Sequence, residues 1–384
     1  MALFGNRIAL IMEGRTGYER EVLLGIREHA AQQPDWIVRL EPPGRHIKRF
    51  ITQWQPAGIL FQAHGLTPTC LRTVTEADCP RIHVSDSQLS GAIPSVGLDN
   101  EHIGRQAAEY FLDRRAIHFG FVGIKGVNFS RDRRTAFQER LRKAEKTCVC
   151  FDLPSPEAHT DLRTERQLRR WLAKLVKPTA VFAVHDECSL LLSTFAREEG
   201  IRVPEDLTIL GVDDDSLLCE LAYPKLSSIG VPARRIGRVA AEKLDGWIRQ
   251  PPRDNGPNSI LLPPLAVVTR QSTDINQTSD ESVNQALQFI ASDFHRRINV
   301  EDILREIGVS RRSLERKFRD TLDRSPLQEL HRKRIEYSRY LLSETQEPLD
   351  RIAERCGFPG ASGFVTIFKK HTGSTPGQFR KNKP

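Results

Sequence analysis

The chain has 384 residues, of which 39% are hydrophobic and 28% are charged, and its formal net charge is +8. This length predicts two or three domains, and this composition excludes a chain that is disordered over its whole length. No apolar run approaches the roughly 18–20 residues that a membrane-spanning helix needs, and the opening MALFGNRIALIMEG lacks the pattern of a secretory signal peptide.

Short apolar runs alternate with helical patterns over the first 275 residues. The runs RIALIM, AGILF, RIHVS, HFGFVG, TCVCF, AVFAV and LTILGV are rich in β-branched and aromatic residues and are mostly too short for helices. Between them, segments such as EHIGRQAAEYFLDR repeat apolar residues at the spacing of one helix face. This alternation predicts βαβ units with mainly parallel sheets, and its length is suited to two lobes.

Polar residues follow several of these predicted strands. LTILGVDDD places Asp213, Asp214 and Asp215 at the carboxyl end of a strand, and AVFAVHDE places Asp186 in a similar position. Ligands of parallel sheets bind at that end, where carboxylates can accept hydrogen bonds from sugar hydroxyls or can hold Mg²⁺. A single aspartate after a strand can equally be a helix cap.

The segment FSRDRRTAF, after the HFGFVG strand, combines an aromatic ring with cations at a helix start. Phe129 can stack on the apolar face of a pyranose, and Arg133 can donate several hydrogen bonds to ring and hydroxyl oxygens. Arginines on a helix surface are otherwise usually solvated.

The seven cysteines are scattered, and no CxxC pair is accompanied by a second pair of Cys or His. Cys148 and Cys150 lie within one predicted strand. We therefore expect reduced, structural thiols in a reducing cytoplasm, with neither a metal site nor a cofactor.

The polar segment TDINQTSDES ends the strand–helix alternation, and the pattern beyond it is almost entirely helical. Residues 280–384 carry 20 basic and 15 acidic side chains, a net +5 in little more than a quarter of the chain. This excess of cations fits a polyanionic partner.

A first pair of helices is predicted in VEDILREIGVSRRSLERKFRD. Gly308 can turn the chain after the first helix, and Ser310 is suited to cap the second. Apolar residues of both helices face inward, and the outward residues of the second helix suit contacts with bases and phosphates. These outward residues are Ser310, Arg311, Arg312, Ser313 and Arg316.

A second pair of similar design follows in PLDRIAERCGFPGASGFVTIFKK, after the long predicted helix PLQELHRKRIEYSRYLLSE. Gly357 can adopt positive φ at the turn, and Phe358 fills the corner between the helices. Two short helices at a sharp angle predict a helix-turn-helix, whose second helix can enter the major groove. Its outward residues are Ser362, Thr366, Lys369 and Lys370.

Residues 280–381, and above all IAERCGF and IFKKHTGSTPGQFR, resemble the AraC-type DNA-binding domain. The resemblance implies that the helices from Ser310 to Arg319 and from Gly360 to Lys370 are recognition helices that enter successive major grooves. Gly363 stands where this family commonly has a larger side chain, so we expect the first unit to carry most of the base reading.

Residues 6–274 resemble the inducer-binding domain of lac-repressor-type regulators, which is related to periplasmic sugar-binding proteins. The resemblance depends on VGLDNEHIGRQAAEYFL, RDRRTAF, VFAVHDE, VPEDLTILGVDDD and LSSIGVPARRIGRVAAEKL. It implies two α/β lobes that close over a sugar. The ligand-binding residues that it implies are Asp213, Arg133 and Asp186, with Phe129, Asp214, Tyr18 and Glu19 as weaker candidates.

The expected organisation is a two-lobed sensor over residues 6–274, a linker over 275–282 and an AraC-type domain over 283–381. This order resembles a subgroup of sugar-responsive regulators, and it implies an activator that responds to a pentose such as xylose. A homodimer, operator DNA and RNA polymerase are the implied partners.

Two alternatives are weaker. An enzyme would use Asp213–Asp215 for metal-dependent or phosphate chemistry, but the chain has no P-loop, GxSxG, HExxH or GxGxxG after the first strand. A constitutive repressor would use the sensor only for dimerisation, which leaves the polar residues at the strand ends without a role.

Overall fold

The computed structural model describes residues 6–63, 66–84, 93–155, 161–250, 259–274 and 280–381. Its contacts divide the chain into two compact units. The first comprises Met1–Ala108, Gly123–Ala144 and Val231–Pro264, and the second comprises Glu109–Val122, Glu145–Gly230 and Leu265–Pro384. The AraC-type segment therefore belongs to the same unit as one half of the sensor.

The first unit is built on a four-stranded parallel sheet with the strand order β2-β1-β3-β4. Its strands are β1 (Asn6–Ile11), β2 (Trp36–Glu41), β3 (Gly58–Phe61) and β4 (Arg81–His83). A separate parallel pair joins β5 (Val96–Leu98) to β11 (Ile260–Leu262). The helices of this unit are α1 (Gly17–Ala30), α2 (Ile47–Trp54), α3 (Pro68–Thr75), most of α4 (Asn100–Asp113), α5 (Asn128–Arg142) and α9 (Ala233–Arg249).

The second unit contains a six-stranded sheet with the strand order β12-β10-β9-β8-β6-β7. Its strands are β6 (His118–Ile124), β7 (Cys148–Leu153), β8 (Thr179–Ala183), β9 (Leu207–Asp213), β10 (Ser227–Gly230) and β12 (Val267–Val268). The pairs β6–β8, β8–β9 and β9–β10 are parallel, and β10–β12 is antiparallel. Its helices are α6 (Leu162–Ala173), α7 (Asp186–Glu198), α8 (Ser216–Leu221) and a 3-10 helix over Gln271–Thr273.

The remainder of the second unit is helical. It comprises α10 (Glu281–Asp293), α11 (Val300–Ile307), α12 (Arg311–Leu322), α13 (Pro326–Glu344), α14 (Leu349–Arg355), α15 (Ala361–Thr372) and α16 (Pro376–Lys381). Leu314 and Phe318 of α12 lie in one apolar core, and Phe364 and Phe368 of α15 lie in another. Helix α13 contributes side chains to both cores, so the long helix joins the two helix-turn-helix units, as the sequence predicts.

The fold class predicted from the sequence is confirmed: an α/β region with mainly parallel sheets precedes a helical region with two helix-turn-helix units. Gly308 and Gly357 turn the chain with φ of 71° and 75°, as expected. Helix α12 continues to Leu322, three residues beyond its predicted end. Of the predicted linker, residues 275–279 lie outside the described residues, and α10 begins at Glu281. None of the described helices has the length and the apolar character that crossing a membrane requires.

Candidate ligand site and nucleic-acid interface

The carboxyl end of β9 has an unusual backbone. Asp213 has a φ of 107° and Asp214 a φ of 54°, so two successive non-glycine residues adopt conformations that L-residues rarely take. Such strain persists only where the surrounding structure imposes it, and it concentrates at ligand sites. The strand end that the sequence selects is therefore also distinguished by its backbone.

Asp186, the first residue of α7, holds this strained turn in place. Its Oδ1 accepts a hydrogen bond from the Ser228 hydroxyl at 2.7 Å, and its Oδ2 accepts one from the backbone N–H of Asp215 at 2.8 Å. The carboxyl lies against Gly211 of β9, where a Cβ would stand 2.1 Å from Oδ1. Glycine at that position is what makes room for Asp186.

Asp186 is fully buried, and burial together with the charge of Asp213 raises its pKa well above the usual range. Both of its oxygens accept hydrogen bonds from the protein, which gives it a structural role that sequence reasoning did not assign. Its direct contact with a ligand stays a prediction.

Asp214 forms a buried ion pair that the sequence did not predict. Its Oδ1 lies 2.8 Å from Nη2 of Arg270, and the exposed fractions of the two side chains are 7% and 16%. Burial raises the pKa of Asp214, and the charge of Arg270 partly offsets that rise. Arg270 also donates to the carbonyl oxygen of Leu226 at 3.0 Å. The carboxylate of Asp214 therefore contacts the protein's own cation.

The predicted arginine of the first unit is held in a defined orientation. Nε of Arg133 donates to Oδ1 of Asn100 at 2.8 Å, and the guanidinium carbon lies 5.1 Å from the centre of the Phe129 ring. Arg133 is 4% exposed and Asn100 is 5% exposed. The structure thus brings Arg133 and Phe129 together, with Asn100 as a partner that sequence reasoning missed.

Glu19 and Tyr18 lie in the first turn of α1. Oε2 of Glu19 accepts from the backbone N–H of Arg15 at 2.7 Å and of Thr16 at 3.3 Å, and Thr16 caps the helix in return. Glu19 therefore completes a capping box. Tyr18 is half-buried. Their contact with a ligand stays a prediction, as does the single cleft proposed for Asp213, Arg133 and the other candidates, because these residues are divided between the two units.

The proposed metal chemistry has no cluster to support it. Within the described ranges, no group of three or more His, Cys, Asp or Glu side chains is arranged to hold a metal ion. His185 caps α7 by accepting from the backbone N–H of Cys188 at 3.2 Å, which gives this histidine a structural role.

Helix α12, which the sequence predicts to be the first recognition helix, has cations with and without ion-pair partners among the described residues. Ser310 caps the helix by accepting from the backbone N–H of Ser313 at 3.3 Å. Arg311 forms ion pairs with Glu301 and Glu315, at 2.8 and 3.0 Å. In contrast, the exposed residues Arg312, Arg316 and Arg319 form no ion pair with a described residue. These three follow one face of the helix at i, i+4 and i+7.

Helix α15, the second predicted recognition helix, repeats this arrangement with different side chains. Leu314 and Phe364 occupy equivalent core positions that differ by 50 in residue number. With the same offset, Arg312, Arg316 and Arg319 correspond to Ser362, Thr366 and Lys369. The latter three are exposed, as is Lys370, and the Thr366 hydroxyl donates to the carbonyl oxygen of Ser362 at 3.1 Å. Helix α12 therefore carries three exposed arginines that pair with no described residue, on the face where α15 carries one lysine and two hydroxyls. Arg319 is not among the outward residues predicted from the sequence, although the 50-residue repeat places it opposite Lys369 in the alignment of the two helices.

Comparisons with known proteins agree with this organisation. Residues 108–273 match the family model of the periplasmic binding protein-like domain, and residues 303–382 match that of a helix-turn-helix domain. The xylose operon regulatory protein of Haemophilus influenzae is 29% identical, with 98% of each chain covered. That of Escherichia coli K12 is 27% identical over 98% of this chain and 97% of its own.

Over nearly its whole length, the chain is similar to the xylose operon regulatory proteins. The solved structure of a xylose-binding transcription activator, xylR, superposes with a TM-score of 0.63 at 25% identity, and the match covers 98% of this chain and 97% of that one. A CelR–cellobiose complex shares the fold of the sensor, with a TM-score of 0.59, 20% identity and coverage of 70% of this chain and 86% of its own. The chain is accordingly a ligand-responsive transcription regulator with a helix-turn-helix domain that binds DNA.

Proposed function

We propose that this regulator is a sugar-dependent activator of a sugar-catabolism operon, with a pentose such as xylose as its effector. The observation that carries the proposal is the match over the whole length: relatives named for the xylose operon share both the sensor and the DNA-binding domain. A relative that matched only the sensor would say nothing of the operon. The proposal includes a cytoplasmic location, because operator DNA and polymerase lie there.

The chemistry of the candidate ligand site supports a polyhydroxy effector. Asp213 lies at a strand end, where its carboxylate oxygens can accept hydroxyl hydrogen bonds, and Arg133 can supply N–H donors beside the ring of Phe129. A sugar offers hydroxyl groups to both kinds of partner and an apolar ring face to the aromatic side chain. These residues are the proposed ligand contacts, with Asp186 and Asn100 in supporting positions.

The proposed domains are a sensor over residues 6–274 and a DNA-binding domain over 283–381. We further propose that the regulator is a homodimer that presents two such domains to two operator half-sites and contacts RNA polymerase. Sedimentation equilibrium of the full chain tests the dimer. A species of twice 43.6 kDa is the expected result, and a monomer at micromolar concentration in the presence of operator DNA contradicts it.

A ligand screen tests the effector. The full chain is heated with D-xylose, its mirror image L-xylose, D-ribose, L-arabinose or D-glucose, and the melting temperature is recorded. A ligand that binds only the folded state at 100 times its Kd stabilises that state by about 2.7 kcal/mol. We expect D-xylose or another pentose to raise the melting temperature and L-xylose to leave it unchanged. No shift with any sugar, confirmed by calorimetry, contradicts the proposal.

A further inference from the structure

A short segment after β12 is fixed to the core of the sensor on several sides. The Ser272 hydroxyl donates to the carbonyl oxygen of Ile209 in β9 at 2.6 Å and accepts from the backbone N–H of Ser227 in β10 at 2.8 Å. The Thr273 hydroxyl lies 2.6 Å from that of Tyr110. Ser272 and Thr273 are both fully buried. Since buried hydroxyls with all these partners cannot move independently, the segment moves with β9 and β10.

The beginning of this segment contacts the candidate ligand site. Arg270 immediately precedes the 3-10 helix, and its guanidinium lies 2.8 Å from the carboxylate of Asp214. Asp214 follows Asp213 at the strained end of β9. A change in the conformation of this strand end on ligand binding therefore acts directly on Arg270.

The end of the segment contacts the DNA-binding domain. Oδ2 of Asp274 lies 3.0 Å from Nζ of Lys333 on α13. The Lys333 side chain is 5% exposed and that of Asp274 is 15% exposed. Water screens such a pair weakly, so it holds its geometry better than the exposed ion pairs of the surface.

Helix α13 is the element through which a displacement at Lys333 reaches both predicted recognition helices, α12 and α15. Leu330 lies in the apolar core of the first helix-turn-helix unit, and Leu341 lies in that of the second. Arg334, next to Lys333, donates to the carbonyl oxygens of Phe294, Arg296 and Ile298 at 2.8–2.9 Å. Movement of this part of α13 therefore changes the position of both helix-turn-helix units together.

We propose that the Asp274–Lys333 ion pair transmits the state of the ligand site to the DNA-binding domain, through Asp214, Arg270 and the 3-10 helix between them. Lys333 is thus a positioning residue that contacts neither sugar nor base. The inference rests on the proposed function, since it needs a ligand that alters the end of β9. An element that two sites bias is the physical requirement for coupling between them.

The test uses full-length protein and measures three quantities for each variant. They are the affinity for D-xylose by calorimetry, the affinity for operator DNA with and without D-xylose by fluorescence anisotropy, and the hydrogen–deuterium exchange of α13 without sugar. Lys333→Met removes the charge at similar length, Lys333→Arg keeps it, and Asp274→Asn removes the pair from the sensor side. Arg202→Gln is the matched control, because it breaks an ion pair with Asp206 that lies within the sensor.

Couplings between two ligand sites are typically about 5–150-fold. In Lys333→Met and Asp274→Asn we expect the ratio of DNA affinities with and without D-xylose to fall to about one, with D-xylose still bound. Exchange in the first half of α13 should increase in both variants. Lys333→Arg and Arg202→Gln should keep the ratio of the unsubstituted protein.

Two outcomes overturn the inference. One is an unchanged ratio in Lys333→Met with unchanged exchange in α13. The other is equal loss of the ratio in Lys333→Met and Lys333→Arg, which would assign the effect to packing rather than to charge. A protein without substitutions that binds no sugar would instead contradict the proposed function, and the exchange of α13 would still decide whether the ion pair attaches the domain.

Discussion

Gly308 and Gly357 occupy equivalent turns of the two helix-turn-helix units, and substitution by alanine should affect them to different degrees. Their φ angles, 71° and 75°, are nearly equal. A Cβ at Gly308 would meet no atom within 4 Å, whereas a Cβ at Gly357 would stand 2.4 Å from the carbonyl oxygen of Arg296 and 2.5 Å from that of Phe294. The pair thus separates the cost of a left-handed backbone from the cost of a steric clash.

The expected magnitudes follow from these two terms. A left-handed conformation costs an L-residue roughly 1–2 kcal/mol, and Gly308→Ala should cost that amount. Gly357→Ala adds the displacement of two backbone carbonyls, which overpacking data place at about 1–3 kcal/mol. Both carbonyls also accept hydrogen bonds from Arg334, so their displacement strains a further contact. We expect Gly357→Ala to lower the opening free energy of the second helix-turn-helix unit by about 2–5 kcal/mol in total.

Hydrogen–deuterium exchange of the full chain measures this difference, because it reports opening free energies for separate elements. Gly357→Ala should accelerate exchange in α14 and α15, and Gly308→Ala should have a smaller effect on α11 and α12. Equal effects at the two turns would refute the reasoning, because they would show that the contact with the two carbonyls carries no cost.

Three further predictions concern the recognition of DNA bases, the response to sugar and the dependence of stability on pH. Arg312→Ala should reduce the preference for operator over random DNA by about 1–3 kcal/mol in anisotropy competition; equal weakening on all sequences would mean that it contacts only phosphate. Asp213→Asn should abolish the effect of sugar on DNA affinity and leave the sugar-free affinity unchanged; a full response would remove it from the site. Burial and the charge of Arg334 lower the pKa of His331 below 6.5, so the folded state binds its proton less readily than the unfolded state. His331 should therefore contribute stability that is present above pH 6.5 and is lost as the pH falls through its lowered pKa. If the melting temperature of His331→Gln fell between pH 7 and 5 as steeply as that of the unsubstituted protein, this prediction would be contradicted.

The sequence predicts the parts of the fold that depend on local pattern. Six of the seven apolar runs and both helix-turn-helix units have the burial that their spacing indicates, since a strand or helix must face its core with a fixed period. The exception is TCVCF, which forms the edge strand β7 and leaves Val149 53% exposed. Strand β2 was not predicted because it lies at a sheet edge, where Ile37, Val38 and Leu40 are exposed among charged residues. Strand β10 was not predicted because it contains two polar residues, Ser227 and Ser228, of the kind that is common in loops, although both are buried.

The candidate site shows the same limit. Asp186 and Asp213 could be selected because each follows an apolar strand, but the structural role of Asp186 depends on Ser228, which is 42 residues away. The ion pair of Asp214 likewise depends on Arg270, which follows β12, an antiparallel strand of only two residues. Contacts of this kind are set by topology, and no periodicity in the sequence reports them.

We propose that a sugar changes the affinity of this protein for DNA, and one titration tests that proposal most directly. The full chain is titrated against a fluorescent duplex that it has selected from a random pool, first without sugar and then with saturating D-xylose. We predict that the sugar raises the affinity by about 5–150-fold. The same affinity in both titrations, while calorimetry shows D-xylose bound, would contradict the account.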